Sequence, residues 1–118
     1  MEHVVLKGKG DIHEISQLLM NQMPIVTTKD FQKIHRKIDL SEFMLLVFEK
    51  HYMRNNSRST LTVVIHQVAD ELIIDAIGSG GASGMFFNIS LGANFDIVNT
   101  VVKVLEPKGF QVQPKEGD

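Results

Sequence analysis

The sequence contains no cysteine, which excludes disulfide bonds, thiolate catalysis and every zinc or iron–sulfur site built on cysteine ligands. The absence suits a reducing compartment, so we expect a cytoplasmic location. The first residues lack the basic segment and long apolar run of a secretory signal peptide. No stretch approaches the ~20 apolar residues that a membrane span requires, so we expect no membrane partner.

A strong net charge is also missing, because 12 basic and 14 acidic residues leave a formal charge of −2. A domain this close to neutral has no overall field that attracts nucleic acid or anionic lipid. Acidic residues flank the single basic cluster, which consists of Lys29, Lys33, His35, Arg36 and Lys37. Phe31 is the one aromatic residue interleaved with it, and a single ring is too little for a stacking platform. We interpret the cluster as a solvated helix face and expect no nucleic-acid partner.

The composition is that of an ordinary globular domain. Hydrophobic residues make up 43% and charged residues 22% of the 118 residues. This length fits one domain with a real core and leaves no room for a second. We predict a single α+β domain over residues 1–113, followed by a polar tail over residues 114–118.

The N-terminal part predicts a strand and then a helix. A short strand over residues 3–7 ends at a glycine-rich break. Asp11 with Glu14 three residues later has the spacing of a capping box, and apolar residues follow at helical intervals. We predict a helix over residues 11–23 that Pro24 ends.

Residues 25–40 are open to two interpretations. The β-branched stretch over residues 25–28 has the composition of a strand. Phe31, Ile34 and Ile38 then fall on one helical stripe. We favour a short helix over residues 30–38.

The middle of the chain carries the clearest pattern. Strands are predicted over residues 43–53, 59–68 and 71–77, and the short links between them indicate hairpins in a meander. A helix over residues 94–106 and a last strand over residues 110–112 follow. The predicted fold class is α+β: an antiparallel sheet, made of the three-strand meander plus terminal strands, with two main helices packed on one face.

The register of the meander is estimated from its two turns. Centring the first turn on Asn56 and closing the second at residues 69–70 sets His66 opposite both Leu46 and Ile73. One face is then apolar and is predicted to be the core side. Its members are Leu45, Val47, Leu61, Val63, Ile65, Leu72, Ile74 and Ala76.

The other face is predicted to be mixed, too apolar for open solvent and too polar for a plain core. It carries Met44, Leu46, Phe48, Val64, Ile73 and Ile77 beside Lys50, Tyr52, Thr60, Thr62, His66 and Asp75. We favour its burial by a second copy of the chain in a two-fold dimer. The alternative is that residues 25–42 fold over it. The candidate interface residues are Leu46, Phe48, Val64, Ile73 and Ile77.

A run of small residues is the most conspicuous local feature. Its candidate ligand-binding members are Gly78, Ser79, Gly80, Gly81, Ser83 and Gly84. Glycine lets backbone N–H groups approach a phosphate or carboxylate. However, the run lacks the lysine of a phosphate loop and the spacing of the dinucleotide fingerprint. We interpret it as a turning connection, with a small ligand or anion as the alternative.

The best polar pair is His66 with Asp75, which the register places diagonally on neighbouring strands. An aspartate that orients a histidine is the arrangement of a general base. No motif ties a nucleophile to this pair, and Gly-x-Ser-x-Gly is absent. We interpret it as a structural pair and keep it as the catalytic candidate. The five histidines lack metal-ligand spacing, so we expect neither metal nor cofactor.

Three segments resemble a known family. They are the strand over residues 45–52, the glycine-rich start over residues 78–81 and the segment Phe86-Phe87-Asn88-Ile89. Together they resemble small proteins of Gram-positive bacteria that form a domain of unknown function. The likeness covers roughly residues 43–105 and implies a compact bacterial cytosolic α+β domain with no assigned catalytic residue. On this likeness residues 29–40 look like an elaboration.

Two functions follow as hypotheses. The first is a non-enzymatic binding or assembly module that forms a homodimer through the mixed face. The second is a small hydrolase or isomerase that uses His66 and Asp75. We favour the first, because catalysis usually needs a convergent set of titratable groups and only one loose pair is visible.

Overall fold

The computed structural model describes residues 2–26, 31–40, 42–52, 57–80 and 98–114. The strands and the first helix are β1 (Glu2–Lys9), α1 (Ile12–Val26), β2 (Phe31–Leu40), β3 (Phe43–Tyr52), β4 (Ser57–Val68), β5 (Glu71–Gly80) and β6 (Gln111–Val112). Residues 98–105 are helical and are called α2 here, and a 3-10 turn over Glu106–Lys108 follows them.

The strands form one sheet in the order β2-β3-β4-β5-β1-β6, and every neighbouring pair is antiparallel. The predicted α+β class is therefore confirmed, and the meander β3-β4-β5 lies at its centre. The N-terminal strand β1 joins the far side of β5. This long-range pairing completes the sheet around the meander.

Helix α1 begins as the capping pattern predicts. The carboxylate of Asp11 accepts hydrogen bonds from the backbone N–H groups of His13 at 3.1 Å and Glu14 at 3.0 Å. It thereby satisfies two donors that have no partner within the helix. The predicted end at Pro24 is wrong, because the helix runs to Val26. Proline removes only its own N–H, so the residues after it still have donors for the last turn.

The predicted helix over residues 30–38 is also wrong, because Phe31–Leu40 is the edge strand β2. A register shift between Ile34 and Arg36 sets Ile34 opposite Phe48 and Ile38 opposite Leu45. Such a bulge inserts one extra residue into one strand of an antiparallel pair and leaves it unpaired. Ile34 and Ile38 are thereby paired with residues of opposite faces of β3, so their helical spacing does not mark one helical stripe.

The first hairpin has a different register from the predicted one. Tyr52 pairs with Ser57, so His66 lies opposite Phe43 and not opposite Leu46. The shift is three residues, and an odd shift exchanges the two faces of a strand. The predicted faces of β3 are therefore reversed. The second hairpin agrees with the prediction, since His66 lies opposite Ile73.

The core lies between the sheet and the two helices. The buried apolar side chains of the strands are Leu6, Met44, Leu46, Phe48, Leu61, Val63, Ile65, Leu72, Ile74 and Ala76. Those of the helices are Ile12, Ile15, Leu19 and Met23 in α1, and Val98, Val101, Val104 and Leu105 in α2. Both helices thus cover the same face, as predicted. Within the described residues, no helix is long and apolar enough to cross a membrane.

The C-terminal segment, residues 106–112, adds a core residue and a last strand to the domain. Pro107 lies in the 3-10 turn, and Gly109 ends it with φ of 93° in the left-handed region. Phe110 is 2% exposed and belongs to the core. The chain then pairs with β1 through β6, as the predicted last strand requires.

Candidate functional site

The outer face is the side of the sheet opposite the two helices. Alternate residues of neighbouring strands share this face, because side chains alternate across a strand. Its described members on β1, β3, β4 and β5 are His3, Val5, Lys7, Lys9, Phe43, Leu45, Val47, Glu49, Thr60, Thr62, Val64, His66, Val68, Glu71, Ile73, Asp75, Ile77 and Ser79. Both described helices pack on the core side, so neither covers the outer face.

Asp75 lies near the middle of the outer face. Val5 of β1 and Val64 of β4 are its direct cross-strand partners. Ile73 and Ile77 stand two residues away along β5 on the same face. All four apolar neighbours are half-buried. One carboxylate therefore stands in apolar surroundings.

His3 is the hydrogen-bond partner of Asp75. Its Nε2 lies 2.7 Å from Oδ1 of Asp75, and the two side chains are 51% and 31% exposed. The register sets His3 opposite Ile77, which makes it a diagonal neighbour of Asp75. The aspartate thus holds an imidazole in one orientation, the arrangement that supports proton transfer or a charge-assisted bond.

The predicted pair of His66 with Asp75 is placed on one face, as expected, but it is not joined. His66 lies opposite Ile73 and so stands diagonally to Asp75 on the β4 side. Among the described residues, no hydrogen bond links the two side chains, and Asp75 bonds to His3 instead. Sequence reasoning missed His3 because β1 is 72 residues away along the chain. The sequence did predict a strand that begins at His3, but it did not show that this strand pairs with β5.

The predicted interface residues divide between the two sides of the sheet. Val64, Ile73 and Ile77 lie on the outer face and are half-buried. Leu46 and Phe48 do not, because they are core residues with 0% and 2% exposure. The odd shift in the first hairpin is the reason. The outer face carries the other alternate residues of β3, which are Phe43, Leu45 and Val47.

The glycine-rich run lies only partly within the described residues. Gly78, Ser79 and Gly80 extend β5 beyond its predicted end. Gly78 is buried and pairs with Leu61 on one side and Glu2 on the other. The Thr60 hydroxyl donates a 3.3 Å hydrogen bond to the carbonyl of Ser79. This part of the run therefore works as strand, and the candidates Gly81, Ser83 and Gly84 lie outside the described residues.

In the part of the chain that the structure describes, no three His, Asp or Glu side chains are grouped so that they could hold a metal ion. His3 and His66 stand on opposite diagonals of Asp75, His3 toward Ile77 and His66 toward Ile73. The three side chains therefore spread along the sheet and do not converge on one point.

Comparison with known proteins gives one result. No curated protein and no solved structure matches the chain. A model of a family of unknown function, DUF6054, matches residues 1–108. The match is wider than residues 43–105 and spans residues 29–40. The chain belongs to this family of unknown function, as the resemblance predicted.

Proposed function

We propose that this protein is a non-enzymatic assembly or binding module that forms a homodimer through its outer face. The observation that supports the proposal is the apolar centre of that face. Leu45, Val47, Val64, Ile73 and Ile77 are half-buried, and the described helices leave them uncovered. A cytoplasmic setting fits a chain without cysteine.

The size of the outer face suits a stable dimer. The four strands β1, β3, β4 and β5 contribute described residues to it, and the shortest of them, β1, has eight residues. Strand spacings of ~4.8 Å and rises of ~3.3 Å per residue give these four strands a projected area of about 500 Å2. The accessible area of a corrugated surface exceeds its projection, and a typical stable interface takes ~800 Å2 per partner. A second copy presents a surface of the same size.

The distribution of side chains is that of an interface. Apart from Val5 on β1, the apolar residues lie on β3, β4 and β5 around Asp75, whereas His3, Lys7 and Lys9 take the other outer-face positions of β1. Lys9 is exposed and pairs with Asp70 at 3.4 Å at the end of the sheet. An apolar centre with a charged margin is the usual anatomy of a protein–protein contact.

Light scattering coupled to size exclusion tests the proposal. We expect a dimer at micromolar concentration for the wild type and a monomer for Val64→Lys, which sets a charge at the centre of the outer face. The matched control is Val112→Lys, because Val112 is 45% exposed and lies on β6 at the sheet edge. A monomeric wild type contradicts the proposal, as does a dimer that Val112→Lys disrupts and Val64→Lys preserves.

The second candidate is a small hydrolase or isomerase with a His–Asp pair on the sheet. The 2.7 Å bond between His3 and Asp75 favours it, and it makes His3 the base in place of His66. A screen with activated esters and small keto acids would test this function. Turnover that His3→Gln abolishes and His66→Gln leaves unchanged supports it, and an equal loss in both variants contradicts it.

A further inference from the structure

The carboxylate of Asp75 lies on the part of the outer face that a second copy of the chain would cover, so dimerisation would remove it from water. Asp75 stands between Val5 and Val64 across the sheet and between Ile73 and Ile77 along β5. Its side chain is 31% exposed in the single chain. A second copy over these four apolar side chains would take that remaining exposure away. A buried carboxylate without a compensating cation is strongly unfavourable.

His3 can supply the compensating charge. With a neutral imidazole, the His3–Asp75 pair carries a net charge of −1, whereas the protonated imidazole makes the pair neutral overall. At 2.7 Å the imidazolium also donates a charge-assisted hydrogen bond to the carboxylate. We propose that dimerisation through the outer face is coupled to the uptake of one proton by the His3–Asp75 pair of each copy. This inference rests on the proposed homodimer.

Within the described residues, the other charged groups around Asp75 do not compensate the charge of its carboxylate as a protonated His3 would. On β1 the second diagonal neighbour is Lys7, and among the described residues its side chain forms no ion pair with Asp75. On β4 the diagonal neighbours are Thr62 and His66, and no hydrogen bond joins His66 to Asp75. Along β5 the nearest acid is Glu71, at the end of the strand and exposed. Among the described residues, those beside His3 other than Asp75 are Val5 on its own strand and Ile77 and Ser79 on β5, and none of these carries an ionisable carboxyl, imidazole or amino group.

The sign of the effect follows from the proton count. The dimer binds more protons than two monomers, so acidic conditions favour the dimer and alkaline conditions favour the monomer. Histidine is the side-chain type whose charge ordinarily changes between about pH 5 and 8. Sedimentation equilibrium of the full chain should therefore give a dissociation constant at least tenfold larger at pH 8.5 than at pH 6.

Two variants and one control make the test specific. Asp75→Asn removes the buried charge, and His3→Gln removes the titrating group, so each should abolish the tightening of the dimer at acidic pH. Asp75→Asn should also dimerise at least as tightly as the wild type does at pH 6. The control His66→Gln should retain the pH dependence of the wild type. Circular dichroism at both pH values confirms that each variant is folded.

The outcomes separate this inference from the proposed function. A wild-type dimer whose dissociation constant does not change with pH overturns the proton coupling and leaves the dimer standing. Dimerisation of Asp75→Asn that is still tighter at pH 6 than at pH 8.5, or a wild-type pH dependence that His66→Gln removes, also overturns it. A chain that is monomeric from pH 6 to 8.5 overturns both the coupling and the dimer.

Discussion

The aromatic ring of Phe110 lies directly over Gly8. A Cβ atom on Gly8 would stand only 2.6 Å from Cδ2 of the ring and 2.7 Å from its Cγ. Cγ lies close to the backbone, so rotation of the ring cannot clear the space. Because Gly8 has no side chain, the ring of Phe110 can pack against β1 and take its place in the core.

We predict that Gly8→Ala lowers the free energy of unfolding by about 1–3 kcal/mol, because overpacking forces a buried ring to move. Urea denaturation followed by circular dichroism measures this. The comparison is Gly109→Ala, where a Cβ meets nothing within 4 Å but φ is 93°. That variant should lose about 1 kcal/mol, from backbone strain alone. A Gly8→Ala protein as stable as the wild type contradicts the close contact.

The N-cap of α1 gives a second prediction. Asp11→Ala should reduce stability by about 1 kcal/mol, because two backbone N–H groups lose their acceptor. Asp11→Asn should keep most of it, since the amide oxygen can still accept. Asp70→Ala is the control, because its contact with Lys9 is exposed and contributes little. Equal losses in the Asp11→Ala and Asp70→Ala variants would show that the cap is not formed.

The turn between β4 and β5 predicts a stabilising change. Ala69 has φ of 57°, a left-handed conformation that disfavours a Cβ atom. Ala69→Gly should therefore raise the free energy of unfolding by about 0.5–1 kcal/mol. This net gain is the backbone strain that glycine relieves, reduced by the greater conformational entropy that glycine gives the unfolded chain. Asp70 is not among the residues with positive φ, so Asp70→Gly should have the opposite effect. A thermal melt of both variants decides the matter.

The register of the first hairpin can be tested with cysteines, since the chain has none of its own. Leu45 lies directly opposite Val64 on the outer face. Cysteines at these two positions should form a disulfide on mild oxidation, because opposite Cα atoms fall within the range a disulfide bridges. The control pair, at Leu45 and Thr60, is offset by four residues and should stay reduced. Cross-linking of the control pair alone would show a different register.

Much of the fold was predictable because its signals are local. Asp11 and Glu14 mark the start of α1, and the tight turn at Ala69 sets β4 against β5 with the observed register. Four residues separate Tyr52 from Ser57 in the first hairpin and leave several centres possible, and the predicted centre at Asn56 put Leu46 in place of Leu45 on the outer face. In the same way Phe31, Ile34 and Ile38 have helical spacing although they belong to the strand β2.

Of the bonded pair in the candidate site, the sequence predicted Asp75 but not its partner His3. Asp75 and its place on a mixed face follow from the alternation of β5. Its partner does not, because His3 reaches it through a pairing of β1 with β5 that joins the start of the chain to its middle. Such contacts depend on which edge of the sheet a terminal strand joins. Neither the hydrophobic periodicity of the strand nor the residues of its turns predict that edge.

The most direct test of the dimer is an isotope-filtered NMR experiment on a mixture of labelled and unlabelled chains. Only contacts between two copies appear in such a spectrum. The account predicts intermolecular signals from the methyl groups of Val64, Ile73 and Leu45 on the outer face. The absence of intermolecular signals, or signals confined to the exposed Val112 at the sheet edge, would contradict it.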